Sequence, residues 1–356
     1  MPSHDHLQTR ICLIGAAIVL ILLISAAASA SDTGQPGWDP EVAAMIAEVS
    51  ESELYATTAD LQAFGTRAIG TDGNTEAAAY LHDRLRAIPE LEVEYQGGDR
   101  RNVVATLPGS GQNADTFVVV GAHYDSTATD PKNAPGATDN AAGVAIVLEL
   151  ARIMSSQTFD RTIAFALWNA EEAGRHGSRD YARRAAADDR EILLYLNYDS
   201  TAYDPENRSV VTVLADARAA GVARAMAQYP ARYGIDVTLV SESGVPISDH
   251  VSFREQGYPV VMMHAPRPGW PMHTPDDTID YVSFPYARKS AQLGLAVLAE
   301  VACLNGTVTG DEAQVSASRT AVAVFPHLIA DLERLTRPPL RGIPTGSSGC
   351  PDMQGL

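Results

Sequence analysis

The segment TFVVVG at 116–121 is apolar on both of its faces. A half-exposed strand alternates apolar and polar residues, so a run of this kind belongs in a sheet covered by helices on each side. The surrounding chain supplies the cover. Helical stretches over 40–64, with a polar break, and 74–87 precede β-rich runs at 91–95, 102–107 and 116–121. The pattern continues as helix 140–154, strand 162–168, helix 177–187, strands 192–198 and 209–214, helix 218–229, strand 259–263 and a long helix 284–304. This alternation predicts one α/β domain with a mixed, mostly parallel central sheet flanked by helices on both faces. Ligands of such sheets bind beyond the carboxyl ends of the strands, which makes the residues just after each strand the ones to inspect.

Those residues are acidic or histidine. TFVVVGA runs into His123 and Asp125, the 162–168 strand into Glu171 and Glu172, the 192–198 strand into Asp199, and the 259–263 strand leads through a loop to His273. Asp139 opens the helix that follows. Each has a plainer reading on its own: Asp139 suits a helix N-cap, and His273 suits an ordinary loop. Together, two His and three carboxylates (His123, Asp139, Glu172, Asp199, His273) are what two zinc ions need if one carboxylate bridges them, with Asp139 as the bridge and open positions left for water and substrate. With only three cysteines, far apart at 12, 303 and 350, any metal must be held by His and carboxylates. Asp125, two residues from His123, is within reach of the second ring nitrogen of that imidazole and can fix its tautomer. Neighbours at a strand end point opposite ways. Glu172 can therefore bind metal while Glu171 faces the substrate as general base to a metal-activated water.

These residues resemble a known family, the secreted dizinc aminopeptidases of metallopeptidase family twenty-eight. The resemblance is carried by GAHYDS (121–126), PGATDNAAGVA (135–145), LWNAEEAGRHGSRDYA (167–182), LNYDS (196–200), SDHVSFREQGYP (248–259) and HTPDDTIDYV (273–282), in the family's order, with weaker likeness from 54 to 304. It implies the zinc exopeptidase fold, and it implies His123 and Asp199 on one zinc, Glu172 and His273 on the other, Asp139 bridging, Glu171 as base and a cis peptide at Asp139–Asn140. The implied substrates are peptides with a free N-terminus. Two departures stand out. Gly244, Val245, Pro246 and Ile247 occupy the place where some members have an oxyanion-binding tyrosine before SDH, and Arg175 with His176 replaces a more apolar pair. His250 and Ser252 of SDHVSF are typical of the family and suit a structural role.

Related carboxypeptidases and aminoacylases share the ligand types but insert a lid of about a hundred residues between the last two. Here the stretch from Asp199 to His273 is largely used up by sheet and helix elements. A glutaminyl cyclase with one zinc, or a non-catalytic binding domain, could also be built on the same fold. The complete ligand set and the retained base argue against both.

Charge and chain ends set the environment. Asp+Glu number 44 against 26 Lys+Arg, a net charge of −18, and no basic cluster exceeds a pair, which excludes nucleic acid as a partner. Residues 1–30 read as a signal peptide ending at Ala28-Ser29-Ala30, or else as a retained membrane anchor, so the protein is expected to be secreted or extracytoplasmic and to meet a membrane only if that segment stays. The zinc peptidase domain is expected over 31–310, a helical extension over 311–336 and a flexible tail over 337–356. In an oxidising compartment Cys303 and Cys350 could pair or stay as thiols.

Overall fold

In the central strands, successive side chains enter two different cores because both faces of the sheet are covered. Val118 and Val120 of β3 (Phe117–His123) face one core, and Val119 faces the other. β4 (Thr162–Trp168) divides the same way, with Ile163, Phe165 and Leu167 on the first side and Ala164, Ala166 and Trp168 on the second. This is the strand period of two, read in burial. The computed structural model describes residues 37–98, 101–241, 247–266 and 271–304. Those from Glu41 onward belong to one compact unit.

The remaining strands are β1 (Glu92–Gln96), β2 (Asn102–Leu107), β5 (Ile192–Tyr198), β6 (Val210–Ala215), β7 (Thr238–Ser241) and β8 (Val260–His264), in the sheet order β1-β2-β4-β3-β5-β8-β6-β7. β4, β3, β5 and β8 run parallel to one another, and so do β6 and β7, whereas β1–β2, β2–β4 and β6–β8 are antiparallel. The sheet is thus mixed with a parallel centre. Helices α1 (Pro40–Ala47), α2 (Glu51–Ala63), α3 (Asp72–Arg86), α4 (Ala142–Met154) and α9 (Phe284–Val301) bury their apolar faces in the larger core. α5 (His176–Ala187) and α8 (His250–Glu255) cover the other face. On that face Trp168 Nε1 donates to Tyr195 Oη at 2.8 Å, Tyr195 Oη donates to Asn197 Oδ1 at 2.7 Å, and Phe253 stacks on Tyr195 with centroids 3.8 Å apart. This tie fixes β4, β5 and α8 directly beneath the site.

Four elements differ from the expectation. The helix expected at 218–229 breaks into α6 (Ala220–Met226) and α7 (Tyr229–Tyr233), because Pro230 begins a new helix. β7, only four residues long at the sheet edge, and α8 were not anticipated. The regular part of α4 starts at Ala142, since Asp139 and Asn140 have non-helical dihedrals and a cis peptide between them. Between Asp199 and His273 the chain extends the same sheet and its helices, as expected from its length. Cys303 is disulfide-bonded; Cys350, the signal segment, the extension and the tail lie outside the described residues. Among the described residues no helix is long and apolar enough to cross a membrane.

Candidate active site

The four parallel central strands deliver their C-terminal residues to one edge. His123 ends β3, Glu171 and Glu172 follow β4, Asp199 follows β5 and His273 follows β8, and Asp139 reaches the same point from the turn before α4. Ala170, Arg175, Ser200 and His273 all have φ between 50° and 61°, in the left-handed region that non-glycine residues seldom adopt. Such strain gathers where the surroundings force a functional geometry.

The two oxygens of Asp139 face different histidines. His123 Nε2 is 3.2 Å from Oδ1, and His273 Nε2 is 3.1 Å from Oδ2. Asp199 Oδ1 lies 3.7 Å from His123 Nε2, and Glu172 Oε2 lies 3.2 Å from His273 Nε2. His123, Asp139 and Asp199 form one set whose ligand atoms lie within 4.8 Å of one another, and Asp139, Glu172 and His273 form a second. Asp139 Oδ1 and Glu172 Oε1 are buried without a hydrogen-bond partner. Buried carboxylate oxygens need a donor or a cation. A divalent ion of borderline softness that takes both carboxylate and imidazole ligands, such as zinc, fits both sets.

The titration behaviour expresses the same crowding of charge. Burial opposes a proton on His123, but Asp199 and the contacts with Asp125, Asp139 and Asp199 outweigh it and hold the imidazole well above its usual pKa. His273 is raised to about 10 by its bonds to Asp139 and Glu172. Asp139 is held well below the usual carboxylate range: burial pushes it up, and the two histidines overcome this. Glu172 is raised to about 7, first by burial and then by Asp139. Glu171, which belongs to neither set, is raised to about 10. Burial is the main cause, His123 opposes it, and Asp249, Asp199 and Glu172 push further up. Carboxylates thus crowd both imidazoles, and a divalent cation bound there would compete with a proton for the same place.

Asp125 acts differently from the expectation. The hydrogen bond of His123 Nδ1 goes to the main-chain oxygen of Asp125 at 3.1 Å, while the nearest carboxylate oxygen stands at 3.6 Å, too long for a hydrogen bond. The carboxylate instead accepts the N–H groups of Glu171 (3.0 Å) and Glu172 (3.1 Å), one on each oxygen. His123 brings the chain past this point, so the carboxylate can reach across to the β4 loop and fix both glutamates from behind.

Other supports escaped the sequence reading. Asp277 Oδ1 accepts from Thr138 N at 2.8 Å and Thr138 Oγ1 at 2.7 Å, and its Oδ2 accepts from Asp139 N at 3.0 Å. Asp139 is therefore not a cap; its own amide is capped from the His273 loop. Burial raises Asp277 to about 6 despite those bonds. Arg67 is fully buried and donates to the carbonyl oxygens of Leu61, Tyr124, Pro135 and Gly136, tying the Asp139 turn to the end of β3. Its charge opposes that of Asp277, Asp125, Asp139 and Glu172, while burial lowers it to about 10. Asp249 is buried beside the site and is raised to about 7, chiefly by burial. In the same motif His250 is buried and lowered to about 3 by burial and by Arg254 and Arg175, and Ser252 Oγ pairs with Ser178 Oγ at 2.9 Å. Ser252 thereby ties α8 to α5, and both ring nitrogens of His250 are buried without a hydrogen-bond partner. Only the polar residues within HTPDDTIDYV and FGTRAIG could have signalled Asp277 and Arg67, and nothing local says that they are buried.

The site opens into a cavity of about 430 Å³ whose wall holds the carboxylates and histidines together with Arg175, Ser248, Ile247, Met262 and Met272. Two candidate metal-ligand sets sharing a carboxylate at the C-terminal edge of a mixed α/β sheet are an arrangement suited to a metal-dependent hydrolase. Residues 102–298 match Peptidase family M28, and the chain belongs to that family. The chain is 27% identical over 281 residues to a probable leucine aminopeptidase of Trichophyton verrucosum, covering 73% of this chain and 75% of that one. It is 25% identical over 304 residues to leucine aminopeptidase 1 of Pyrenophora teres, covering 78% and 77%. Among solved structures, the LapA aminopeptidase of Legionella pneumophila shares the fold with a TM-score of 0.67 at 22% identity over 74% of each chain. BSAP, a zinc aminopeptidase from Bacillus subtilis, does so at 0.60 and 16%, over 71% of this chain and 95% of that one.

Proposed function

We propose that this protein is a dizinc aminopeptidase that removes the N-terminal residue of peptides, with His123 and Asp199 on one zinc, Glu172 and His273 on the other, Asp139 bridging and Glu171 as general base. The observation that carries this reading is the division of the Asp139 oxygens between His123 and His273, each backed by its own further carboxylate. When bound, zinc supplies Lewis acidity that activates water and polarises the scissile carbonyl. Glu171 accepts the proton of the attacking water and hands it to the departing amine as the C–N bond breaks. Glu171 lies beside both sets without belonging to either, and divalent cations held there would favour its ionised, proton-accepting form. Asp125 holds the Glu171 and Glu172 main chain so that the base and the ligand keep their separate directions. The substrate's free α-amine, a cation, is favoured by a wall rich in carboxylates. The apolar stretch at 11–24 and the Ala-Ser-Ala site support an extracytoplasmic location.

Metal analysis and three substrates test the reading. Purified protein is expected to hold about two zinc ions, to lose activity to a chelator and to regain it with zinc. Leucyl-arylamide should be hydrolysed and N-acetyl-leucyl-arylamide should not. Full activity at less than one zinc per chain would overturn the dizinc site, and equal turnover of blocked and free substrates would overturn the exopeptidase assignment. A pyroglutamyl product from a glutaminyl peptide would point to cyclase chemistry instead.

A further inference from the structure

Within a wall crowded with carboxylates, Arg175 lines the cavity without pairing with any of them. Its Nη1 is buried with no hydrogen-bond partner, and among the described residues no carboxylate forms an ion pair with the guanidinium. Asp139, Asp199 and Glu172 are turned towards the two ligand sets and Asp125 towards the Glu171 and Glu172 amides, while Glu171 and Asp249 belong to neither group and still make no ion pair with the guanidinium. A buried guanidinium nitrogen left without an acceptor is unusual, because such groups are costly unless paired. The backbone places it there at some strain. Arg175 has φ 58°, follows Gly174 at φ 112°, and donates its N–H to the Glu171 carbonyl at 2.7 Å. Its position is thereby fixed relative to the base.

We infer that Arg175 gives the site a preference for substrates bearing a carboxylate on the residue that departs. The inference rests on the aminopeptidase reading. Glu171 protonates the leaving amine, so a side chain anchored to the Glu171 loop stands on the departing side of the scissile bond. The apolar part of the wall (Ile247, Met262, Met272) is left to the side chain of the first residue. A guanidinium meets a carboxylate with two parallel hydrogen bonds, a match that neither an amide nor a carbonyl offers. The carboxylate could be the C-terminus of a dipeptide or an acidic second side chain, and a cavity of about 430 Å³ holds either. At a net charge of −18 the molecule as a whole disfavours an anionic tail, so any such preference must arise locally.

Three substrate pairs, assayed with the zinc-loaded enzyme, test the inference and locate the carboxylate. Leu-Gly against Leu-Gly-amide probes the C-terminus, Leu-Glu-amide against Leu-Gln-amide probes the second side chain, and Glu-Gly-amide against Gln-Gly-amide probes the first. We expect the carboxylate member of the first or second pair to have kcat/KM at least about tenfold higher, mainly through KM. Arg175→Met should bring that ratio close to one. Arg175→Lys, which keeps the charge and loses the paired bonds, should leave an intermediate ratio and serves if the first variant does not fold. A ratio near one in both of the first two pairs for wild type, a preference confined to the third pair, or a ratio unchanged in Arg175→Met would overturn the inference. Hydrolysis of the neutral amides keeps the two readings apart. If they are cleaved and no carboxylate is favoured, only the role of Arg175 fails; if no free-amine substrate is cleaved, the aminopeptidase reading itself fails.

Discussion

Glu171 and Glu172 lie in the turn after β4, where Ala170 has φ 61° and the Glu171 carbonyl accepts from the N–H groups of Gly174 and Arg175, both at 2.7 Å. This turn, with the Asp125 carboxylate on both amides, sets the two side chains apart. Glu171→Gln is expected to keep the fold and both metals, because the amide is isosteric and no ligand is lost. It cannot carry a proton from water to the leaving amine, so kcat should fall by at least about 10² with KM little changed. Glu172→Gln should instead lower zinc occupancy along with rate. Metal content and steady-state kinetics on the pair decide the matter: zinc lost from Glu171→Gln and kept by Glu172→Gln would exchange the roles. Asp125 makes a second residue-scale test, since its carboxylate accepts two main-chain N–H groups in a buried place. Asp125→Ala leaves both amides without an acceptor and is expected to destabilise by about 1.5–3 kcal/mol. Loss of this backing should also weaken zinc by about 10–100-fold, read by competition with a chelator. An unfolding midpoint and a zinc affinity equal to wild type would remove Asp125 from the site's support. Of the candidate ligands, His123, Glu172, Asp199 and His273 were legible as a group because they come at or after the ends of strands whose apolar runs are unmistakable, and Asp139 because it stands just before a helix. The supports were not. Arg67, Asp277 and the carboxylate of Asp125 work through carbonyls and amides brought together by folding, and a main-chain partner leaves no mark in the order of side chains.

Elements meet closely where small residues allow it. In α9, a Cβ on Gly294 would stand 1.6 Å from Tyr198 Oη and 3.3 Å from Leu196 Cδ2, so the helix packs directly on β5. Tyr198 Oη also donates to the Ser290 carbonyl at 3.1 Å, one turn earlier in the same helix. Tyr198 is the last residue of β5 and precedes Asp199. Gly294→Ala must therefore push α9 away or shift the strand end that carries a proposed ligand. We expect a loss of about 1–3 kcal/mol, as for overpacked cores, and lower zinc occupancy. Adding Tyr198→Phe should restore part of the stability by removing the clashing oxygen, although it loses the bond to Ser290. Thermal melts of the single and double variants check this, and Gly294→Ala within about 0.5 kcal/mol of wild type would contradict the packing argument. The same dependence on partners explains which elements could be read in advance. β3, β4, β5 and β8 are buried on both sides, and their composition alone marks them. β7 is a short edge strand with partly exposed residues, and α8 is a six-residue helix placed by the Tyr195–Phe253 stack, so neither has a periodicity long enough to see.

For the whole molecule, the excess of negative charge opposes compaction, and salt weakens that opposition. At about 0.1 M the screening length is about 10 Å, shorter than most distances between like charges on a domain of this size. Exposed ion pairs lose strength over the same range. Those between Arg208 and Glu206 (2.9 Å), Arg288 and Glu51 (2.9 Å) and Lys289 and Asp236 (3.2 Å) are among them. Pairs of this kind contribute about 0–1 kcal/mol each, whereas the repulsion acts on a net charge of −18. The repulsion should win, and the melting temperature of the zinc-loaded protein is expected to rise as sodium chloride goes from about 0.01 M to about 0.3 M. Catalysis should respond with the opposite sign. A leucyl-arylamide is a cation through its free amine and is drawn to an acidic molecule, so its kcat/KM should fall over the same salt range while kcat changes little. Measuring both on one preparation separates the two effects of the same charge. A melting temperature that falls with salt would overturn the repulsion argument, and a kcat/KM that rises with salt would mean that the carboxylate-rich field does not assist capture of the amine.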